Sequence, residues 1–176
     1  MRLPLTPSQT AGPFLHLGLV WPDGADVVPL GTPGAVLLTG RVLDGSGDAV
    51  TDALVETWQV GPDGTAAGPG FRGLGRCPTG PEGEWAVRTL KPGPVVEADG
   101  TVQAPHVDVS VFARGLLDRV VTRLYFADEE PANATDPVLA SVPEERRGTL
   151  VADVCDGGYR LDIHLQGEAE TVFFAV

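Results

Sequence analysis

The sequence is poor in the groups from which most self-contained active sites are built. Its 176 residues include three histidines and two cysteines. Cys77 and Cys155 lie far apart and form no C-x-x-C pair, so two free thiols are expected, not a redox or zinc centre. Basic residues are scarce too: 12 Lys and Arg stand against 24 Asp and Glu, a formal net charge of -12. Such a surface repels a phosphate backbone, which argues against nucleic acid as a partner. No apolar run approaches the roughly 18 residues that a membrane helix needs. The opening MRLPLTPSQTAGPF has no long apolar stretch, so no signal peptide is expected and a cytoplasmic protein is the default. G-x-G-x-x-G, G-x-x-x-x-G-K-[ST] and G-x-S-x-G are all absent, which removes the common dinucleotide, phosphate-loop and hydrolase readings.

What the sequence does have is turn formers and short apolar segments. Gly 23 and Pro 16 sit beside an apolar fraction of 43%. That mixture describes a folded chain of many short elements joined by loops. Period-two alternation is clearest in His106–Phe112: Val107, Val109 and Val111 face one way, and His106, Asp108, Ser110 and Phe112 the other. Ala35–Leu43, Leu54–Val60, Trp85–Leu90, Arg119–Phe126 and Tyr159–Leu165 read as further strands, and Thr171–Val176 as a possible sheet edge. Residues 61–70 and 95–104 read as loops, and residues 128–144 as a loop with at most one or two helical turns. About seven or eight short strands without an amphipathic helix predict an all-β, two-sheet sandwich. The expected organisation is one domain over residues 1–176, with 1–22 as an extended arm whose prolines keep it out of a helix.

Candidate chemistry is thin. His16, His106 and His164 lie on separate segments. His106 and Asp108 are two apart on a strand, so they share a face and could supply two metal ligands, but no third is evident. The plainer reading is a polar pair at a sheet end or an interface. Ser110 continues that row, but its members are spaced roughly 7 Å per step, too far for a nucleophile–base relay. Arg114 follows the best strand directly, Arg72 and Arg76 lie in FRGLGR after the glycine-rich loop, and Arg119 and Arg123 share a strand face. Any of these could clamp a carboxylate or simply make a salt bridge. Two classes therefore stay open from the residues alone: a binding or structural module, and one chain of a hetero-oligomeric enzyme.

Several blocks, in order along nearly the whole chain, add a resemblance. They are Thr6–Pro13 (TPSQTAGP), Gly40–Gly45 (GRVLDG), Leu54–Gln59 (LVETWQ), Arg88–Pro94 (RTLKPGP), Ala104–Asp108 (APHVD) leading into Phe112–Gly115 (FARG), Thr122–Asp128 (TRLYFAD) and Gly167–Phe174 (GEAETVFF). The set resembles the intradiol ring-cleaving dioxygenases, in the branch that acts on protocatechuate with paired alpha and beta chains. The resemblance implies a β-sandwich core and a ferric ion held by two tyrosines and an H-x-H pair in the catalytic chain. At the matching positions this sequence has Ala66, Val95, His106 and Asp108, and the family's arginine three residues before the first histidine is Gln103. Three of the four ligand types are thus missing. The resemblance therefore implies an alpha chain with no cofactor of its own, inactive in isolation, whose partner beta subunit carries Fe(III).

It further implies a larger hetero-oligomer of such pairs. Thr10, Pro13, Phe14 and Arg114 would wall the partner's substrate pocket at the interface. The implied reaction is cleavage of 3,4-dihydroxybenzoate by O2 to 3-carboxy-cis,cis-muconate, in the beta-ketoadipate route of aromatic catabolism. A stand-alone catechol-type dioxygenase and a non-catalytic β-sandwich module remain as alternatives.

Overall fold

The computed structural model describes residue 12, residues 18–66 and residues 71–175. Thr10, Pro13 and Phe14, and with them most of the expected arm, lie outside the described residues.

Strand β1 (Ala35–Leu43) sits between three partners. It pairs antiparallel with β4 (Glu84–Leu90), and parallel with β10 (Gly158–Arg160) and then β11 (Ile163–His164) on its other side. From β10 the ladder passes through β9 (Val151–Cys155), β8 (Val120–Phe126), β7 (His106–Phe112) and β2 (Leu54–Trp58) to β3 (Leu74–Pro78). A separate hairpin joins β5 (Val95–Val96) to β6 (Val102–Gln103). Both ends of this path fold over one apolar core. Leu38 and Val42 of β1, Val87 of β4, Val55 of β2, Val107, Val109 and Val111 of β7 and Leu124 of β8 are all fully buried within it.

The edges of β3 and β4 are bridged by the segment 24–27. The Arg76 N–H donates to the Gly24 carbonyl, the Arg88 N–H to Ala25, and the Val27 N–H to Arg88. A short extended strip thus satisfies two strand edges that would otherwise be unpaired. Arg76 also ties the chain before it to β3. Its Nη1 donates to the Leu19 carbonyl at 2.8 Å, and its guanidinium lies 4.6 Å from the centre of the Trp21 ring.

The fold matches the all-β expectation, and its departures have local causes. LGRCP (β3) shows no alternation because its side chains are half-buried, so only its pairing with β2 makes it a strand. The loop expected over 95–104 contains the β5–β6 hairpin, turned by Gly100 at φ 87. β9 was likewise not evident, since it buries only Ala152. Tyr159–Leu165 keeps its predicted inward face of Tyr159, Leu161 and Ile163 but breaks into two strands. The break falls where the Asp162 carboxylate, instead of a backbone carbonyl, accepts the Arg41 N–H at 2.9 Å. Residues 171–175 form no strand, although the Phe174 N–H reaches the Val121 carbonyl.

Short helical turns at Glu130–Asn133, Pro137–Ala140 and Glu144–Arg147 follow β8. Leu139, Val142 and Leu150 from this region pack with Ala104 and Tyr125 into a second apolar cluster. That cluster backs the start of β7 and so fixes the position of His106. Among the described residues no helix is long and apolar enough to cross a membrane.

Candidate functional site

The alternation of β7 puts three valines inward and leaves its polar side chains on the opposite face. Register does the rest. His106 stands opposite Tyr125, and Asp108 opposite Arg123 on β8 and opposite Trp58 on β2. The β5–β6 hairpin, in which Val95 pairs with Gln103, closes over this row. The result is a pocket of about 170 Å³ lined by Trp58, Gln59, Val60, Val95, Glu97, Gln103, His106, Asp108 and Arg123. Three of the four positions that the resemblance singles out, Val95, His106 and Asp108, therefore share one cavity. Ala66 is exposed and does not line it.

His106 is buried, and its Nδ1 lies 2.7 Å from the Ala104 carbonyl oxygen. A carbonyl can only accept, so Nδ1 carries the proton and Nε2 keeps the lone pair. Burial, reinforced by the positive charge of Arg123, holds the imidazole below its ordinary value and keeps it neutral. Arg123 is the only cation in the lining among the described residues. Its Nε donates to Asp108 Oδ1 at 3.0 Å and its Nη1 to Gln103 Oε1 at 2.7 Å. Burial works against its charge, but the hydrogen bond to the Tyr125 hydroxyl and the charge of Asp108 outweigh that and raise its basicity further. Gln103 passes the contact on, donating from Nε2 to Glu97 Oε1 at 2.6 Å.

These donors do not suit a ferric ion. A ferric site of the kind the resemblance implies needs anionic phenolates, and among the described residues no tyrosine lines the pocket. Tyr125 lies behind it, with its hydroxyl hydrogen-bonded to Asp136 and its ionisation pushed well above the ordinary range, first by burial. What remains is one neutral imidazole, the Asp108 carboxylate already paired with a guanidinium, and the Glu97 carboxylate already bound by Gln103. Among the described residues no group of three or more His, Cys, Asp or Glu side chains is gathered for a metal. The His106–Asp108–Ser110 row makes no relay either, because the Asp108 carboxylate is turned to Arg123.

Arg114 is elsewhere. It follows the far end of β7, roughly 25 Å along the strand from His106. Its side chain is 73% exposed, and its Nε lies 3.0 Å from Asp52 Oδ2. Arg72 and Arg76 are committed to structure: Arg76 pairs with Glu56, and Arg72 donates to the carbonyls of Asp23, Asp26 and Leu74. Cys77 and Cys155 are free thiols. Sequence reasoning did not find that Arg123 and Gln103 complete the pocket, nor that Tyr125 and Asp136 support it. The available signal was the pairing of Arg123 with Asp108 across a β7–β8 hairpin.

Residues 23–167 match a family profile described as Dioxygenase. The chain is 43% identical to the protocatechuate 3,4-dioxygenase alpha chain of Pseudomonas putida, over 98% of this chain and 96% of that one. It is 44% identical to the alpha chain of the same name from Burkholderia cepacia, over 97% of each. The Burkholderia cepacia beta chain is 34% identical over 81% of this chain and 68% of its own length. A solved dioxygenase domain from Streptomyces sp. SirexAA-E, part of a dioxygenase–carbohydrate-binding fusion, superposes with a TM-score of 0.64 at 27% identity, covering 92% of this chain and 98% of that one. Catechol 1,2-dioxygenase from Pseudomonas arvilla C-1 shares the fold, with a TM-score of 0.61 at 18% identity over 81% of this chain and 55% of its own. By this profile and these full-length identities, the chain belongs to the intradiol ring-cleaving dioxygenase family.

Proposed function

We propose that this chain is the iron-free alpha subunit of protocatechuate 3,4-dioxygenase, working with a beta subunit that carries Fe(III). The observation that carries this reading is identity of 43% and 44% with alpha chains of that name across nearly the full length of both partners. The donor set in the pocket around His106 supports it, being one neutral imidazole and two carboxylates already engaged by Arg123 and Gln103 where a ferric ion would need phenolates. The alpha–beta pair cleaves 3,4-dihydroxybenzoate with O2 between its hydroxylated carbons, giving 3-carboxy-cis,cis-muconate. The ion in the partner supplies the redox chemistry. This chain contributes shape and charge.

The setting is cytoplasmic, and the pairs assemble into a larger hetero-oligomer. We assign the part of the arm before residue 18 to the partner interface, since Arg76 of this chain holds Leu19 and Trp21 on β3. There Thr10, Pro13 and Phe14 wall the substrate pocket, Pro13 fixing the local backbone so that little order is lost on docking. Arg114 stands exposed at a strand end, where a guanidinium can attract the carboxylate of the substrate.

Co-expression with a candidate beta chain that has both tyrosines and the H-x-H pair tests this. The two chains should co-purify with one iron per pair and cleave 3,4-dihydroxybenzoate, and this chain alone should be inactive. Stoichiometric ferric iron in the isolated chain, with a visible phenolate-to-iron charge-transfer band, would overturn the reading. Failure to form a stable complex with any such beta chain would favour a non-catalytic module.

A further inference from the structure

We propose that Arg123 is a resident cation, which takes the electrostatic place of a metal ion in the pocket around His106 and keeps metal ions out of it. The family to which the chain belongs implies an ion here, and the residues present disagree with one. The disagreement is not only a matter of missing donors. His106 and Asp108 are two apart on one strand face, the spacing of an efficient two-point chelate. The His106 ring is even held as a ligand ring is usually held, with Nδ1–H on a carbonyl and Nε2 left with its lone pair. What is wrong with this half-site is its company.

Arg123 stands opposite Asp108 in register, and its side chain is only 18% exposed. Its guanidinium binds three groups from three directions: the Asp108 carboxylate on β7, the Gln103 carboxamide on β6 and, more weakly at 3.5 Å, the Tyr125 hydroxyl on its own strand. The planar fork of an arginine suits this task, because several donors leave one fixed centre in fixed directions. Asp108 and Gln103 are a ligand position and a position beside the ligands. A single guanidinium thus ties them together much as a bound cation would.

The pocket has about 170 Å³, and the guanidinium occupies the same wall as the two remaining donors. A divalent ion at His106 and Asp108 would have to break the ion pair and then sit beside the displaced positive charge. Glu97, the other carboxylate of the lining, is already engaged by Gln103. Every group of this arrangement belongs to this chain.

Titration of the full-length chain with Ni²⁺, followed by calorimetry, tests the proposal. Three forms are compared: the natural chain, Asp108→His, and Asp108→His combined with Arg123→Leu. The natural chain and Asp108→His should show no saturable binding below millimolar Ni²⁺, although the second has two imidazoles on one strand face. The double variant should bind at least tenfold more tightly than Asp108→His. Arg123→Gln, which keeps hydrogen-bonding capacity without charge, replaces the leucine should that chain fail to fold. Stoichiometric binding by the natural chain would overturn the proposal. So would equal affinity, or equal absence of binding, in Asp108→His with and without Arg123.

Discussion

Tyr125 and Asp136 meet inside the protein, where the phenol donates a hydrogen bond to Asp136 Oδ1 at 2.9 Å and both residues are fully buried. The same carboxylate accepts the Leu139 N–H at 2.7 Å and, through Oδ2, the Ala104 N–H at 2.8 Å. Asp136 therefore joins three pieces of chain: β8, the helical turn it caps, and Ala104 two residues before β7. A carboxylate at a helix start that accepts several N–H groups is a strong junction.

Removing that junction should be expensive. Asp136→Ala leaves three buried donors without a partner and should destabilise the fold by about 3 kcal/mol. Asp136→Asn can keep the Oδ1 contacts but turns an amide NH2 toward the Ala104 N–H, so its loss should be smaller, about 2 kcal/mol. Tyr125→Phe removes one donor and should lose about 1 kcal/mol. Urea unfolding midpoints of the three variants give this ranking directly, and an alanine variant as stable as the natural chain would contradict it.

The charge of Arg123 should be readable in His106. Burial is the first reason that the imidazole titrates below 6.5, and Arg123 the second. Arg123→Met should therefore raise the His106 pKa in an NMR titration without restoring the ordinary value, because burial remains. The sign for stability follows from linkage. Folding favours neutral His106, so its contribution is complete above 6.5 and is lost as pH falls below that value toward the folded pKa. His106→Gln should flatten stability against pH in that window.

A second charged cluster ties β4 to the end of β8. Lys91 Nζ lies 2.9 Å from Asp128 and 2.6 Å from Glu129, and the Tyr159 hydroxyl donates to Asp128 at 2.9 Å. Burial opposes the ammonium charge, but these bonds hold Lys91 well above its usual range. Burial is the largest single influence on the Asp128 carboxyl and acts to raise its pKa, but the hydrogen bonds from Lys91 and Tyr159 and the charge of Lys91 together outweigh it and lower the pKa. The pair's stabilisation is then present above the ordinary carboxylate value of 3.8 and lost as acid protonates Asp128 below it. Asp128→Asn should cost about 1 kcal/mol at neutral pH, because solvent screens a half-exposed pair. The difference from the natural chain should shrink below pH 4 in acid-unfolding curves.

Much of this architecture could be read from the residues, and the exceptions have a common cause. β7 was legible because Val107, Val109 and Val111 form one inward face, all fully buried, and β1 because it is apolar through its middle. β3, β9 and the β5–β6 hairpin were not, because they are short or irregular and few of their side chains are buried, so they carry no apolar alternation. The pocket divides in the same way. Asp108 was visible as a ligand type out of place, but its partner Arg123 could be fixed only by the register of a hairpin whose connection, residues 113–119, has no periodicity of its own. Asp136 lies in a segment read as loop, and only tertiary packing makes it the centre of a buried network.

Arg114 offers the sharpest test of how this chain would assist a partner. It is 73% exposed and its ion pair with Asp52 is at the surface, so Arg114→Ala should change stability by well under 1 kcal/mol. If the guanidinium faces the carboxylate of the substrate in the assembled enzyme, the same variant should raise KM for 3,4-dihydroxybenzoate about tenfold, equivalent to about 1.4 kcal/mol of binding. Its effect on kcat should be small, because attraction to a spectator carboxylate is common to bound substrate and transition state. Asp52→Asn separates charge from packing. It keeps Arg114 and removes the neighbouring negative charge, so KM should stay level or fall. Parallel kinetics on the three complexes decide the matter: a rise in KM for Asp52→Asn as large as that for Arg114→Ala would show that the ion pair acts only as structure.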